Sequence, residues 1–88
     1  LPRPRMRILL AEDDPSLARV VAAGLREETY AVDVADDGAF ALEQGLVNEY
    51  DAILLDVGLP RVDGFTICRT LRERGVRTPI LMLSLIHI

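Results

Sequence analysis

Acidic side chains follow directly on two separate apolar runs of this chain. Glu12 and Asp13 come after Ile8-Leu9-Leu10-Ala11, and Asp56 comes after Ala52-Ile53-Leu54-Leu55. Open parallel sheets bind ligands beyond the carboxyl ends of their strands, where strand order reverses, so the three carboxylates converge if the two runs are neighbouring strands. Two unit charges about 4 Å apart repel by roughly 4 kcal/mol at an effective dielectric near 20. Such a cluster destabilises a fold unless a proton or a cation offsets it. Mg²⁺ suits the role, since it takes one or two carboxylates and keeps positions for water and phosphate oxygens. Its charge would also shield the approach of an anionic phosphoryl group to a carboxylate nucleophile. The competing reading is that acids at loop starts cap helices or are merely solvated. It is preferred for Asp14, Asp37 and Asp63, and for Glu12, Asp13 and Asp56 spacing alone leaves both readings open.

The positioning elements follow from hydrophobic pattern. Arg7 to Ala11 reads as a strand buried on both faces. Asp14 as N-cap and Pro15 in the first turn start a helix, with Leu17, Val20, Val21, Gly24 and Leu25 on one face and an end near Glu28. Ala31 to Ala35 is a short strand with β-branched Val32 and Val34. Asp36, Asp37 and Gly38 turn into a second helix carrying Ala39, Leu42 and Leu46, which gives out around Asn48. Ala52 to Leu55 is a third strand ending on Asp56, and Gly58, Leu59 and Pro60 then force an irregular loop. Asp63 and Gly64 start a third helix with Ile67, Cys68 and Leu71 as its stripe, Arg72 and Arg74 near its negative end and Gly75 as its stop. Pro79 to Leu83 is a fourth strand. Strand and helix alternate throughout, which predicts an α/β fold with a parallel sheet and helical crossovers.

Composition narrows the function. At 88 residues the chain holds one small domain, with half its residues hydrophobic and 27% charged. The net charge of -4 argues against direct nucleic-acid binding by this segment, because phosphate neutralisation needs an excess of basic side chains. All ten basic residues are Arg, and there is no Lys. The single cysteine, Cys68, has no partner for an internal disulfide and reads as a small buried hydrophobe, which fits a reducing cytoplasm. No run is long and apolar enough for a membrane span.

Four stretches together carry a family resemblance: Ile8-Leu9-Leu10-Ala11-Glu12-Asp13-Asp14, Ile53-Leu54-Leu55-Asp56-Val57-Gly58-Leu59-Pro60, Asp63-Gly64-Phe65, and Thr78-Pro79-Ile80-Leu81-Met82-Leu83-Ser84. Over Met6 to Leu83 the chain resembles the receiver domains of two-component response regulators. The wording of the last three stretches is most similar to the subgroup with a downstream winged-helix DNA-binding domain (OmpR/PhoB type). The resemblance implies a flavodoxin-like (CheY-like) three-layer fold with strand order 2-1-3-4. It implies a signalling domain, not a classical enzyme, that accepts a phosphoryl group from a sensor histidine kinase onto Asp56. Mg²⁺ would be bound directly by Asp13 and Asp56 and by the Gly58 carbonyl, with Glu12 acting through metal-bound water. Ser84 falls at the family's hydroxyl position, which bonds the phosphoryl group.

The chain also departs from that family. A fifth strand, its flanking helices and the lysine that pairs with the phosphoryl group are missing, so the catalytic lysine and the dimerisation surface of the subgroup have no counterpart. Arg is not an equivalent point charge. Residues 1–5 read as upstream or disordered sequence, 6–83 as a partial receiver domain and 84–88 as a non-native tail. Leu-Ser-Leu-Ile-His-Ile matches one reading frame of a transposon end used in sequencing libraries. His87 in that tail is accordingly a poor ligand candidate. An exposed apolar fourth strand and a first helix without a neighbour across the sheet face predict aggregation or partial unfolding. Three other functional readings stay open: a non-functional fragment, a phosphorylation-independent interaction module, and a Mg²⁺-dependent phosphohydrolase of the haloacid-dehalogenase type. The last wants a second Asp two residues after the nucleophile, where this chain has Gly58.

Overall fold

The computed structural model describes residues 5–83, and within them strands and helices alternate without exception. The elements are β1 (Arg7–Ala11), α1 (Pro15–Glu27), β2 (Ala31–Ala35), α2 (Gly38–Val47), β3 (Ala52–Asp56), α3 (Gly64–Glu73) and β4 (Ile80–Leu83). All strand pairs are parallel, and the described sheet has the order β2-β1-β3-β4. The expected α/β architecture and strand order are both present. β1 therefore lies between β2 and β3, with Ala11 opposite Leu55. This register brings the residues that follow β1 to the same sheet edge as the end of β3.

Each helix starts on an aspartate, as sequence reading expected. Asp14 accepts from the N–H groups of Ser16 and Leu17, Asp37 from Phe40 and Asp63 from Thr66. These bonds satisfy amides that a helix start leaves without intrahelical partners. Gly75 has φ +83, the left-handed conformation that ends helices and that glycine adopts without a Cβ clash.

α1 packs on one face of the sheet and α2 and α3 on the other. Ala18 and Ala22 of α1 join Leu10 and Val32 in one core cluster. The larger cluster gathers Leu9, Ile53 and Leu55 of the sheet with Ala41, Ile67 and Leu71 of α2 and α3. Among the described residues no second helix lies beside α1, so Leu81 of β4 is 59% exposed.

Three details of the sequence reading need correction. The buried side of α1 is centred on Ala18 and Ala22, while Val20 is 69% exposed and Gly24 is also exposed. Two alanines let the helix backbone come close to the sheet, and close packing outweighs the greater hydrophobicity of a valine one step round the helix. Cys68 is only half-buried, beside the fully buried Ile67 and Leu71. β4 begins at Ile80 and not at Pro79, whose carbonyl nevertheless accepts the N–H of Ile53 at 2.9 Å; proline has no N–H to give to a ladder. No described helix is long and apolar enough to cross a membrane.

Candidate functional site

The carboxyl ends of β1 and β3 deliver Glu12, Asp13 and Asp56 to one place. One carboxylate oxygen from each lies within 4.8 Å of the others. Burial divides the three: Glu12 is 2% and Asp56 4% exposed, whereas Asp13 faces solvent. Two buried acids beside a third are costly without compensation, and compensation among the described residues is incomplete. Glu12 Oε2 accepts the N–H of Asp14 at 3.0 Å, but Oε1 is buried with no hydrogen-bond partner among the described residues. Burial foremost, then the Asp56 and Asp13 carboxyls, push the Glu12 pKa upward against the opposing Asp14 N–H.

A protonated Glu12 would relieve this charge in one way, and a cation in another. An orphaned buried carboxylate oxygen next to two further carboxylates fits a hard divalent ion that takes oxygen ligands. The residues present therefore suit Mg²⁺, and Glu12, Asp13 and Asp56 could hold it.

The loop after β3 completes the wall. Gly58 is exposed, and its N–H donates to Asp56 Oδ1 at 3.1 Å. Gly64 is buried against the same strand end: a Cβ there would lie 3.1 Å from the Asp56 carbonyl oxygen and 2.9 Å from the Met82 methyl. From the sequence alone Gly64 reads only as a helix start. The signal that could have marked it is a glycine immediately after a cap aspartate, where a close approach of backbone is cheap. Beside the acids a groove of about 320 Å³ between α1 and β2 reaches Glu12 and Asp13 but is not lined by Asp56. Ser84 and His87 lie outside the described residues.

A sequence profile of the response regulator receiver domain matches residues 8–87. The chain belongs to the response regulator receiver domain family. This receiver domain is 52% identical over 79 residues to the transcriptional regulatory protein CutR of Streptomyces coelicolor. That match takes in 90% of the chain and 36% of CutR. It is 47% identical over 79 residues to the response regulator protein PmrA of Pseudomonas aeruginosa, again 90% of the chain and 36% of the relative. The chain thus spans little more than a third of these relatives.

Solved structures agree on the fold. The receiver domain of the Francisella response regulator 1452 superposes with a TM-score of 0.89 at 31% identity, over 96% of this chain and 69% of that one. The receiver domain of sensor histidine kinase PA1611 from Pseudomonas aeruginosa, with a magnesium ion coordinated in its active site cleft, gives a TM-score of 0.85. Its identity is 40%, over 91% of this chain and 67% of that one.

Proposed function

We propose that Asp56 is the phosphoacceptor of this receiver domain, taking a phosphoryl group from a phosphohistidine of a sensor histidine kinase in a Mg²⁺-dependent reaction. The observation that carries this reading is the buried Asp56 at a strand end, with Glu12 and Asp13 oxygens within 4.8 Å and a Glu12 oxygen without a partner among the described residues. A domain built only for docking has no reason to bear the cost of that cluster. The Mg²⁺-containing cleft of the PA1611 receiver domain supports the assignment of the ion.

Asp13 and Asp56, with the Gly58 carbonyl, would hold the ion, and Glu12 would act through its water. When bound, the ion supplies positive charge that lets an anionic carboxylate meet an anionic phosphoryl group. The chain's own part is positioning. The Gly58 N–H donates to Asp56 Oδ1, and Oδ2 would be the nucleophile. An O–P bond forms at Oδ2 while the N–P bond of the phosphohistidine breaks, and the imidazole nitrogen leaves with the electron pair. The product is an acyl phosphate on Asp56.

CutR is a transcriptional regulatory protein, and on that ground this protein is proposed to pass its signal to a DNA-binding winged-helix domain, acting in the cytoplasm. The Ser84 hydroxyl is proposed to bond the phosphoryl group. The decisive experiment treats the chain and Asp56→Asn with acetyl phosphate and Mg²⁺ and weighs the intact protein. One adduct of a single phosphoryl group, absent without Mg²⁺ and absent in the variant, is expected. A well-folded chain that takes up no phosphoryl group would overturn the assignment.

A further inference from the structure

We propose that Gly38 is a positioning residue for the acid site: the bare α-carbon at the start of α2 lets this helix hold the β3–α3 loop in the shape that sets Gly58 against Asp56. The inference rests on the reading of Asp56 and its metal pocket given above. Gly38 is buried, and its N–H donates to the Pro60 carbonyl at 2.9 Å. A Cβ at this position would stand 1.7 Å from the Val62 carbonyl oxygen, 2.6 Å from its carbonyl carbon and 2.9 Å from its α-carbon. All three atoms are backbone, so no change of side-chain rotamer makes room and the loop itself must move.

That loop is short and fastened at several points. Gly58 N–H bonds Asp56 Oδ1 at 3.1 Å, Val62 N–H bonds Pro60 O at 3.0 Å and Gly64 N–H bonds Val57 O at 3.4 Å. Between them Arg61 has φ +76, a left-handed conformation unfavourable for a residue with a side chain. A loop held in such a conformation does not shift at Val62 without shifting its other fastenings. Gly45 supplies the contrast within α2, because a Cβ there would meet only side-chain tips, the Leu71 methyls at 3.1 Å and 3.4 Å and Ile53 Cδ1 at 3.8 Å. A flexible side chain can yield where a backbone cannot.

Two measurements test this. In the wild-type chain, amide exchange of Gly38 is followed with and without saturating Mg²⁺. Ligation at the site must tighten the fastening that supports it, by reciprocity of linked equilibria. Exchange at Gly38 should slow at least threefold while Ala41, whose N–H bonds Asp37 O in the same turn, stays unchanged. In parallel, Gly38→Ala should weaken Mg²⁺ binding tenfold or more and slow labelling by acetyl phosphate, whereas Gly45→Ala should leave both within twofold. If Gly38→Ala does not fold, the wild-type exchange result decides. Unchanged Gly38 exchange on demonstrated Mg²⁺ binding, or a folded Gly38→Ala chain with unaltered Mg²⁺ affinity, overturns the proposal while leaving the reading of Asp56 intact. Absence of any Mg²⁺ binding to the wild-type chain overturns that reading and this proposal together.

Discussion

The Tyr50 hydroxyl donates to Asp33 Oδ2 at 2.7 Å, tying the entry to β3 to the edge strand β2 across the intervening β1. Arg7 closes the arrangement from β1: its guanidinium bonds the same Asp33 oxygen at 2.9 Å and stands 5.1 Å over the Tyr50 ring. The cluster sits at the opposite end of the strands from the acid site, so its loss tests stability apart from chemistry.

Tyr50→Phe should therefore cost about 1 kcal/mol, the usual net worth of a hydrogen bond with one partner still open to water, and leave phosphoryl uptake unchanged. Burial, and after it the Asp33 carboxylate, pushes the Tyr50 phenol up to about 12. The folded value lies above the ordinary 10, so the contribution is complete below pH 10 and is lost as pH rises through about 12. Tyrosinate absorbance of a Tyr30→Phe chain, in which Tyr50 alone titrates, checks the value; urea unfolding checks the energy. A Tyr50 that ionises like a free phenol would contradict the network.

Leu71 and Leu81 are the same residue type in opposite settings, fully buried on the inner side of α3 and 59% exposed on β4. Leu71→Ala should cost about 3 kcal/mol, the middle of the range for leucine deleted from a close-packed core. Leu81→Ala should stay within about 0.5 kcal/mol, as surface substitutions do. Urea midpoints of the two variants at constant slope give the comparison, and equal losses would mean that β4 packs differently from the face seen here.

Element order, strand direction and the meeting of Glu12, Asp13 and Asp56 were all legible because each depends on local pattern plus a topological rule. Apolar runs ending in acids mark strand ends, and βα alternation makes the sheet parallel. The burial face of α1 was misplaced because hydropathy ranks Val20 above Ala18, while a helix lying close to a sheet selects the smaller side chain. Tyr50 with Asp33, and Gly38 with Val62, were not legible at all. These pairs join residues distant in sequence through geometry that no periodicity encodes. Arg61 likewise carries no sign of its left-handed backbone, for which glycine or asparagine would be the ordinary residue.

The Glu12 carboxyl, raised from its ordinary 4.5 chiefly by burial, predicts an unusual pH profile for the metal-free chain. A group whose folded pKa exceeds its unfolded one stabilises fully below the unfolded value and loses that contribution as pH rises through the folded one. In chelator, stability should therefore fall as pH climbs above 4.5. Asp63 acts oppositely: the backbone N–H and then the hydroxyl of Thr66 hold it below its ordinary 3.8, so its contribution fails only on the acid side. Glu12→Gln should flatten the slope above pH 4.5 and stabilise the metal-free chain at pH 7. The same variant should weaken Mg²⁺ roughly tenfold, the lower end of losses on removing a group that supports a metal's ligands. Denaturant melts across pH in chelator, and Mg²⁺ titration at pH 7, would each expose an error: a variant that loses metal affinity and stability alike points to a structural role for Glu12.

Mg²⁺ itself should stabilise the folded chain, since the three carboxylates converge only when β1 and β3 are paired. A ligand at a hundred times its Kd adds about 2.7 kcal/mol. For a domain of this size that raises Tm by on the order of 10 to 20 °C. Asp13 is the exposed member of the cluster, so Asp13→Asn removes a proposed metal ligand without opening the core or leaving a buried charge unpaired. That variant should match or exceed the wild type in chelator and gain no more than a few degrees from Mg²⁺. Asp56→Asn should likewise lose most of the gain, and NaCl should not reproduce the wild-type gain, which separates a shared site from general screening of acidic charge. Thermal melts of the three proteins in chelator, in Mg²⁺ and in NaCl of matched ionic strength distinguish these outcomes. A wild-type gain reproduced by NaCl alone would mean that Glu12, Asp13 and Asp56 form an acidic patch and not a metal site.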